Sequence, residues 1–160
     1  MKRLFFLLFL LGTLAANAQS KFGFSGAIGG LDDNSHLKTM LNATLEHDLK
    51  PNLTLGADMY TSRFSKNGET LNNNQVFLTV EYRPSALQSG NKKFYLSLLA
   101  GPGLVFQKIA NQSSTEYSTL LASKIGWRIT NSTTIGLKQG FLLNSINNAA
   151  FVSVFVSIRF

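Results

Sequence analysis

Cysteine is absent from the 160-residue chain, and charged residues make up only 14% of it. Without a thiol there is no disulfide scaffold, thiolate metal site, cysteine nucleophile or lipid-modified cysteine anchor. Charge is scarce, since a soluble domain devotes about a quarter of its residues to it. Yet 44% of residues are hydrophobic and 11% aromatic, too many for intrinsic disorder. The chain also lacks the long apolar run of a membrane-spanning helix. Its longest such run, Leu4–Ala16, has 13 residues, against the roughly 20 that a helix needs to cross a bilayer. What remains is a chain poor in charge, near zero in mean hydropathy and rich in Gly, Asn, Ser and Thr.

The apolar run has a clear reading. Met1-Lys2-Arg3 is a basic start, Leu4–Ala16 an apolar stretch, and Ala16-Asn17-Ala18 supplies the small residues that signal peptidase reads. Residues 1–18 are therefore expected to be a cleavable signal peptide, and residues 19–160 a single secreted domain.

After Gln19 the pattern has a period of two. Leu37, Thr39, Leu41, Ala43, Leu45, His47 and Leu49 alternate with Lys38, Met40, Asn42, Thr44, Glu46 and Asp48. Leu53, Leu55, Ala57 and Met59 alternate with Thr54, Gly56, Asp58 and Tyr60, and Val76, Leu78, Val80 and Tyr82 with Phe77, Thr79, Glu81 and Arg83. The same pattern recurs from Phe94, Tyr117, Ile135 and Val152, and Lys21–Leu31 precedes them, giving eight segments. Such alternation marks strands that bury one face. At about 9 to 13 residues the segments suit tilted strands crossing a membrane, whereas soluble strands average about 5 or 6. Lys50-Pro51-Asn52 and Thr130-Asn131-Ser132 read as tight turns. Ser65–Asn74, Ala110–Thr115, Asp32–His36 and Asn144–Ala149 read as polar loops at the opposite end, and Pro84–Lys93 as a long connection on the turn side. The expected fold is all-β, an eight-stranded antiparallel up-and-down transmembrane β-barrel. A membrane offers backbone groups no hydrogen bonds, so the sheet must close on itself.

If the first strand starts in the periplasm, the alternation assigns every side chain a face and a depth. Phe22, Tyr82, Phe94, Trp127 and Phe160 then face lipid at the periplasmic boundary, and Phe106 and Tyr117 at the outer one, as two aromatic girdles. The opposite face encloses Asp58, Lys124 and Lys138 near mid-depth, Glu46 somewhat lower, and Glu81, Arg128 and Arg159 towards the periplasm. Buried ions persist only in pairs. The expected pairs are Asp58 with Lys124 or Lys138, and Glu81 with Arg128 or Arg159, forming a plug rather than an ion path. Gly101-Pro102-Gly103 interrupts a strand with a residue that has no N–H, so a bulge or kink is expected there.

The final segment, FVSVFVSIRF (Phe151–Phe160), places Val154, Val156, Ile158 and the terminal aromatic Phe160 on one face. It resembles the C-terminal assembly signal of Gram-negative outer-membrane barrels. With the eight segments, the mature chain resembles the small barrels of the OmpA/OmpX/OmpW-like type. The Asn-rich loops and Leu98–Phe106 are similar to barrels common in Bacteroidetes. The resemblance implies insertion in the cell outer membrane, partnership with its lipids and with the assembly machinery that reads the last strand, and no cofactor. A peptidoglycan-binding domain of the larger OmpA-like proteins is not expected, because the chain stops at the last strand.

Chemistry beyond that is sparse. Asp33, Ser35 and His36 have the residue types of a hydrolytic triad, but neighbours in sequence do not make triad geometry. His47 falls on the lipid face near the inner boundary. The glycines at 23, 26, 29 and 30 precede no helix and so make no phosphate loop. Basic residues outnumber acidic ones 15 to 8, without the interleaved aromatics of a nucleic-acid surface. Lys50, Lys92 and Lys93 suit anionic headgroups. The function expected is a monomeric, non-enzymatic barrel without metal, with a structural or surface-contact role. Passage of a small hydrophobic molecule near Pro102 is the alternative, and a lipid-acting enzyme using His36 the third reading.

Overall fold

A computed structural model describes residues 22–32, 37–66, 69–85, 93–109, 112–144 and 148–160. The signal-peptide assignment to residues 1–18 lies outside them, as do Asp33–His36 and residues 86–92 of the long connection.

Eight strands follow one another as a meander: β1 (Phe22–Asp32), β2 (Leu37–Lys50), β3 (Leu53–Lys66), β4 (Glu69–Tyr82), β5 (Phe94–Ile109), β6 (Gln112–Arg128), β7 (Thr133–Asn144) and β8 (Ala149–Arg159). All neighbours pair antiparallel, and β8 pairs with β1, so the sheet is a closed eight-stranded barrel. Alternation in sequence becomes alternation in exposure. Along β8, Phe151, Ser153, Phe155 and Ser157 are buried while Val152, Val154, Val156 and Ile158 are exposed. Barrels of eight strands leave an interior that side chains just fill.

Two expectations need correction. The stretches Ser65–Asn74 and Ala110–Thr115 are largely strand, not loop: β3 and β4 pair out to Lys66↔Glu69, and β5 and β6 to Ile109↔Gln112. Their sequence is polar at successive positions, which hides the period of two, yet the hairpin ladders extend to the pairs Lys66↔Glu69 and Ile109↔Gln112. The strands accordingly run from 11 to 17 residues, longer than expected.

The second correction concerns Pro102. Of the bulge or kink expected there, the bulge does not form, although the ladder to β4 is broken at the proline. The β4–β5 register is the same on both sides, at Phe77↔Gly103 and at Val80↔Ala100, and only the two pairs between are interrupted. Pro102 points outward and stays in register with Thr119 of β6. Gly101 lies so close to the Leu78 carbonyl that a Cβ would collide with it, so the wall is shut at the proline. A shift in the ladder's register falls instead between Asp48 and Lys50, where β2 turns into β3.

Candidate functional site

The end carrying Phe22 and Phe160 is the lower one; there the Phe160 N–H donates to the Phe22 carbonyl at 2.8 Å. The interior changes with height. Ion pairs dominate its lower part and an apolar layer lies above them, with buried Lys38 higher still near the upper end of β2.

Four cations and four carboxylates meet in the lower part. Lys124 of β6 reaches across to Glu46 of β2 at 2.6 Å and Glu81 of β4 at 2.8 Å. Arg83, just past β4, turns back to Glu81 at 2.8 Å and to Asp48 at 3.5 Å. Arg159 of β8 contacts Asp48 at 2.5 Å and Glu46 at 3.5 Å. Lys138 of β7 pairs with Asp58 of β3, whose oxygens also accept from Thr44 and Thr79, each at 2.7 Å. Asp58 and Lys138 are 0% and 1% exposed. At that burial a lone ion is prohibitive, and only complete pairing sustains the charges.

Of the sequence-derived candidates, Asp58 and Lys138 therefore stand together, and Lys124 and Glu46 stand together. The pairing of Glu81 is corrected: its partners are Lys124 and Arg83, not Arg128 or Arg159. Arg128 is half-buried at the lower end of β6, where its backbone N–H donates to the Lys93 carbonyl at 2.6 Å. Arg159 bonds Asp48 and Glu46 instead. Sequence reasoning missed Arg83 and Asp48 as members, although both lie on the inward parity. Their role depends on the register between strands, which alternation does not encode.

Above this layer lies an apolar one. Tyr60, Phe77 and Phe151 form its centre, with Met40, Leu120 and Leu142 packed around them. The Tyr60 ring meets Phe77 edge-on at 5.7 Å and Phe151 at 5.5 Å. Its underside lies 4.9 Å from the Lys138 ammonium, a cation–π contact that joins the two layers. The Tyr60 hydroxyl is buried and has no hydrogen-bond partner among the described residues.

On the outside, Tyr82, Phe94, Trp127 and Phe160 are exposed at the lower end, where half-buried Phe22 stacks on His47 at 4.6 Å. Phe106 and Tyr117 are exposed towards the upper end, Tyr117 at 86%. Val154, Val156, Ile158 and Phe160 form an exposed row on β8. His36 lies outside the described residues, so the arrangement of Asp33, Ser35 and His36 does too. His47 faces outward, away from every carboxylate of the lumen. Among the described residues, no group of three or more His, Asp and Glu side chains could hold a metal ion.

No family model and no curated protein sequence matches the chain. Solved structures do. Neisserial surface protein A (NspA) is similar with a TM-score of 0.67 at 9% identity, over 89% of this chain and 98% of that one. Ail, the attachment invasion locus protein of Yersinia pestis, in complex with the heparin analogue sucrose octasulfate, gives 0.60 at 11% identity, over 88% and 97%. The outer membrane enzyme PagL gives 0.55 at 15% identity, over 85% and 98%. At these identities the likeness is one of fold: small eight-stranded outer-membrane barrels.

Proposed function

We propose that this chain is an integral outer-membrane barrel whose lumen is closed by its own side chains and whose role is structural or lies in surface contact. One observation carries the reading. Among the described residues, four cations and four carboxylates pair inside the barrel, while the outside is a belt of Leu, Val, Ile and Phe that encircles every strand. Soluble monomers rarely expose apolar patches beyond a few hundred Å². A belt on all eight strands fits hydrocarbon, with Tyr82, Phe94, Trp127 and Phe160 at one boundary and Phe106 and Tyr117 at the other. Outer-membrane lipids are then the constant partner. The outward row Val154, Val156, Ile158 and Phe160 is what the assembly machinery would read, after residues 1–18 have directed export.

PagL is named an enzyme, so the fold alone does not exclude catalysis. The non-catalytic reading rests on the lumen carboxylates, all of which are held by cations. The tight approach of Gly101 to Leu78 weighs against passage of a hydrophobic molecule at Pro102.

Cell fractionation and an SDS gel test the reading together. The chain is expected in outer-membrane fractions, with faster mobility unboiled than boiled. Recovery as a soluble periplasmic protein would sink it. In planar bilayers the closed lumen predicts silence, and a stable conductance that rises in Lys124→Ala would replace the plug by an ion path.

A further inference from the structure

Between the two aromatic levels the exterior presents mostly Gly, Ala, Pro and larger apolar residues. Among the described residues, polar side chains on that face include Thr39 on β2, Thr61 on β3, Thr119 and Ser123 on β6 and Gln139 on β7, of which Gln139 is the primary amide. Ser123 and Gln139 are direct cross-strand partners. Gln139 is exposed, and its amide makes no hydrogen bond within the described chain. The pair shares a shallow outward groove with Leu98, Leu121, Phe141 and Val152.

Depth makes this amide unusual. Ser123 is four residues from Trp127 and six from Tyr117, so in a spanning barrel the pair lies well inside the hydrocarbon. A primary amide there has two N–H donors and a carbonyl acceptor but no water. Acyl chains supply neither donor nor acceptor. The backbone on both sides is committed to ladders, since Gln139 pairs with Ser123 and with Val152. Beyond the Ser123 hydroxyl, to which the amide makes no hydrogen bond in the described chain, only another protein can present a polar group at that depth.

We propose that the β6–β7 wall around Gln139 is a dimerisation face, on which a second copy of this chain docks inside the membrane. Copies inserted in the same direction are related by a twofold axis along the membrane normal, which puts each Gln139 at the depth of the other. An amide is self-complementary, so each can donate to and accept from its mate, and small Ser123 leaves room for the approach. The inference rests on the membrane insertion proposed above and departs from the monomer expected from sequence.

The absence of cysteine gives a clean test, because a single introduced thiol is unique. Leu137→Cys, which keeps Gln139 and lies two residues away on the same outward face of β7, is compared with Met59→Cys on the diametrically opposite strand β3, both positions being exposed. After insertion into phospholipid vesicles and mild oxidation, the first should form disulfide-linked dimer about ten-fold more than the second. In detergent micelles the wild-type chain should sediment as a dimer and Gln139→Leu as a monomer, both keeping the heat-dependent gel shift. Equal cross-linking at both positions, or a wild type that sediments like Gln139→Leu, overturns the dimer. Loss of the gel shift in the wild type would instead overturn the membrane reading itself.

Discussion

The ionic layer low in the lumen and the apolar layer above it solve the same problem, filling a narrow barrel, by opposite means. Below, Glu46, Asp48, Asp58 and Glu81 are matched by Arg83, Lys124, Lys138 and Arg159, and each bond has a direction. Above, Tyr60, Phe77 and Phe151 pack with Met40, Leu120 and Leu142, where volume matters more than direction. The difference lies in what a substitution leaves behind. A deleted charge leaves its partner buried and uncompensated, whereas a trimmed ring leaves a gap that neighbours partly fill.

The sharpest way to break the contrast is Asp58→Ala, which strands the Lys138 ammonium. It should cost about 3–5 kcal/mol, read by urea unfolding in phospholipid vesicles with Trp127, the one tryptophan, as the fluorophore. The double replacement Asp58→Leu with Lys138→Met should recover nearly all of that loss; if it does not, pairing is not the reason Asp58 matters. Lys124→Met should cost less, about 2 kcal/mol, because Glu46 keeps Arg159 and Glu81 keeps Arg83. In the upper layer Phe77→Leu should cost only about 1 kcal/mol in the same assay, and a loss as large as that of Asp58→Ala would erase the distinction. The smallest effect is a gain. Tyr60→Phe removes a buried hydroxyl without a partner and should stabilise by up to about 1 kcal/mol, while a loss would mean that the hydroxyl is hydrogen-bonded in the membrane.

Faces were legible in the sequence and neighbours were not. Alternation puts Glu81 and Arg83 on the inward face, because parity survives any sliding of one strand along the next. Which cation meets Glu81 depends on stagger around the whole barrel. That stagger brings β6 opposite the lower end of β4 and lets Arg83 fold back from beyond the strand. The apolar layer shows a different limit. Met40, Tyr60 and Phe77 lie on the inward parity, but only their common height makes them a layer. Strand ends were the least legible, since Ser65 and Asn72–Asn74 favour turns locally while the hairpin ladder keeps them extended.

The seam between β1 and β8 carries a consequence for time rather than for shape. Phe22 and Phe160 lie at opposite ends of the described chain, and the Arg159–Asp48 bond joins residues 111 positions apart. Contacts so distant in sequence form slowly, because the loop between them must first lose its freedom. Until β8 arrives, β1 presents an open edge and the carboxylate of Asp48 waits for one of its cations. The barrel thus has no stable half-built form to rest in. Its first strand must stay unpaired on one side, and be kept from other partners, until its last one comes.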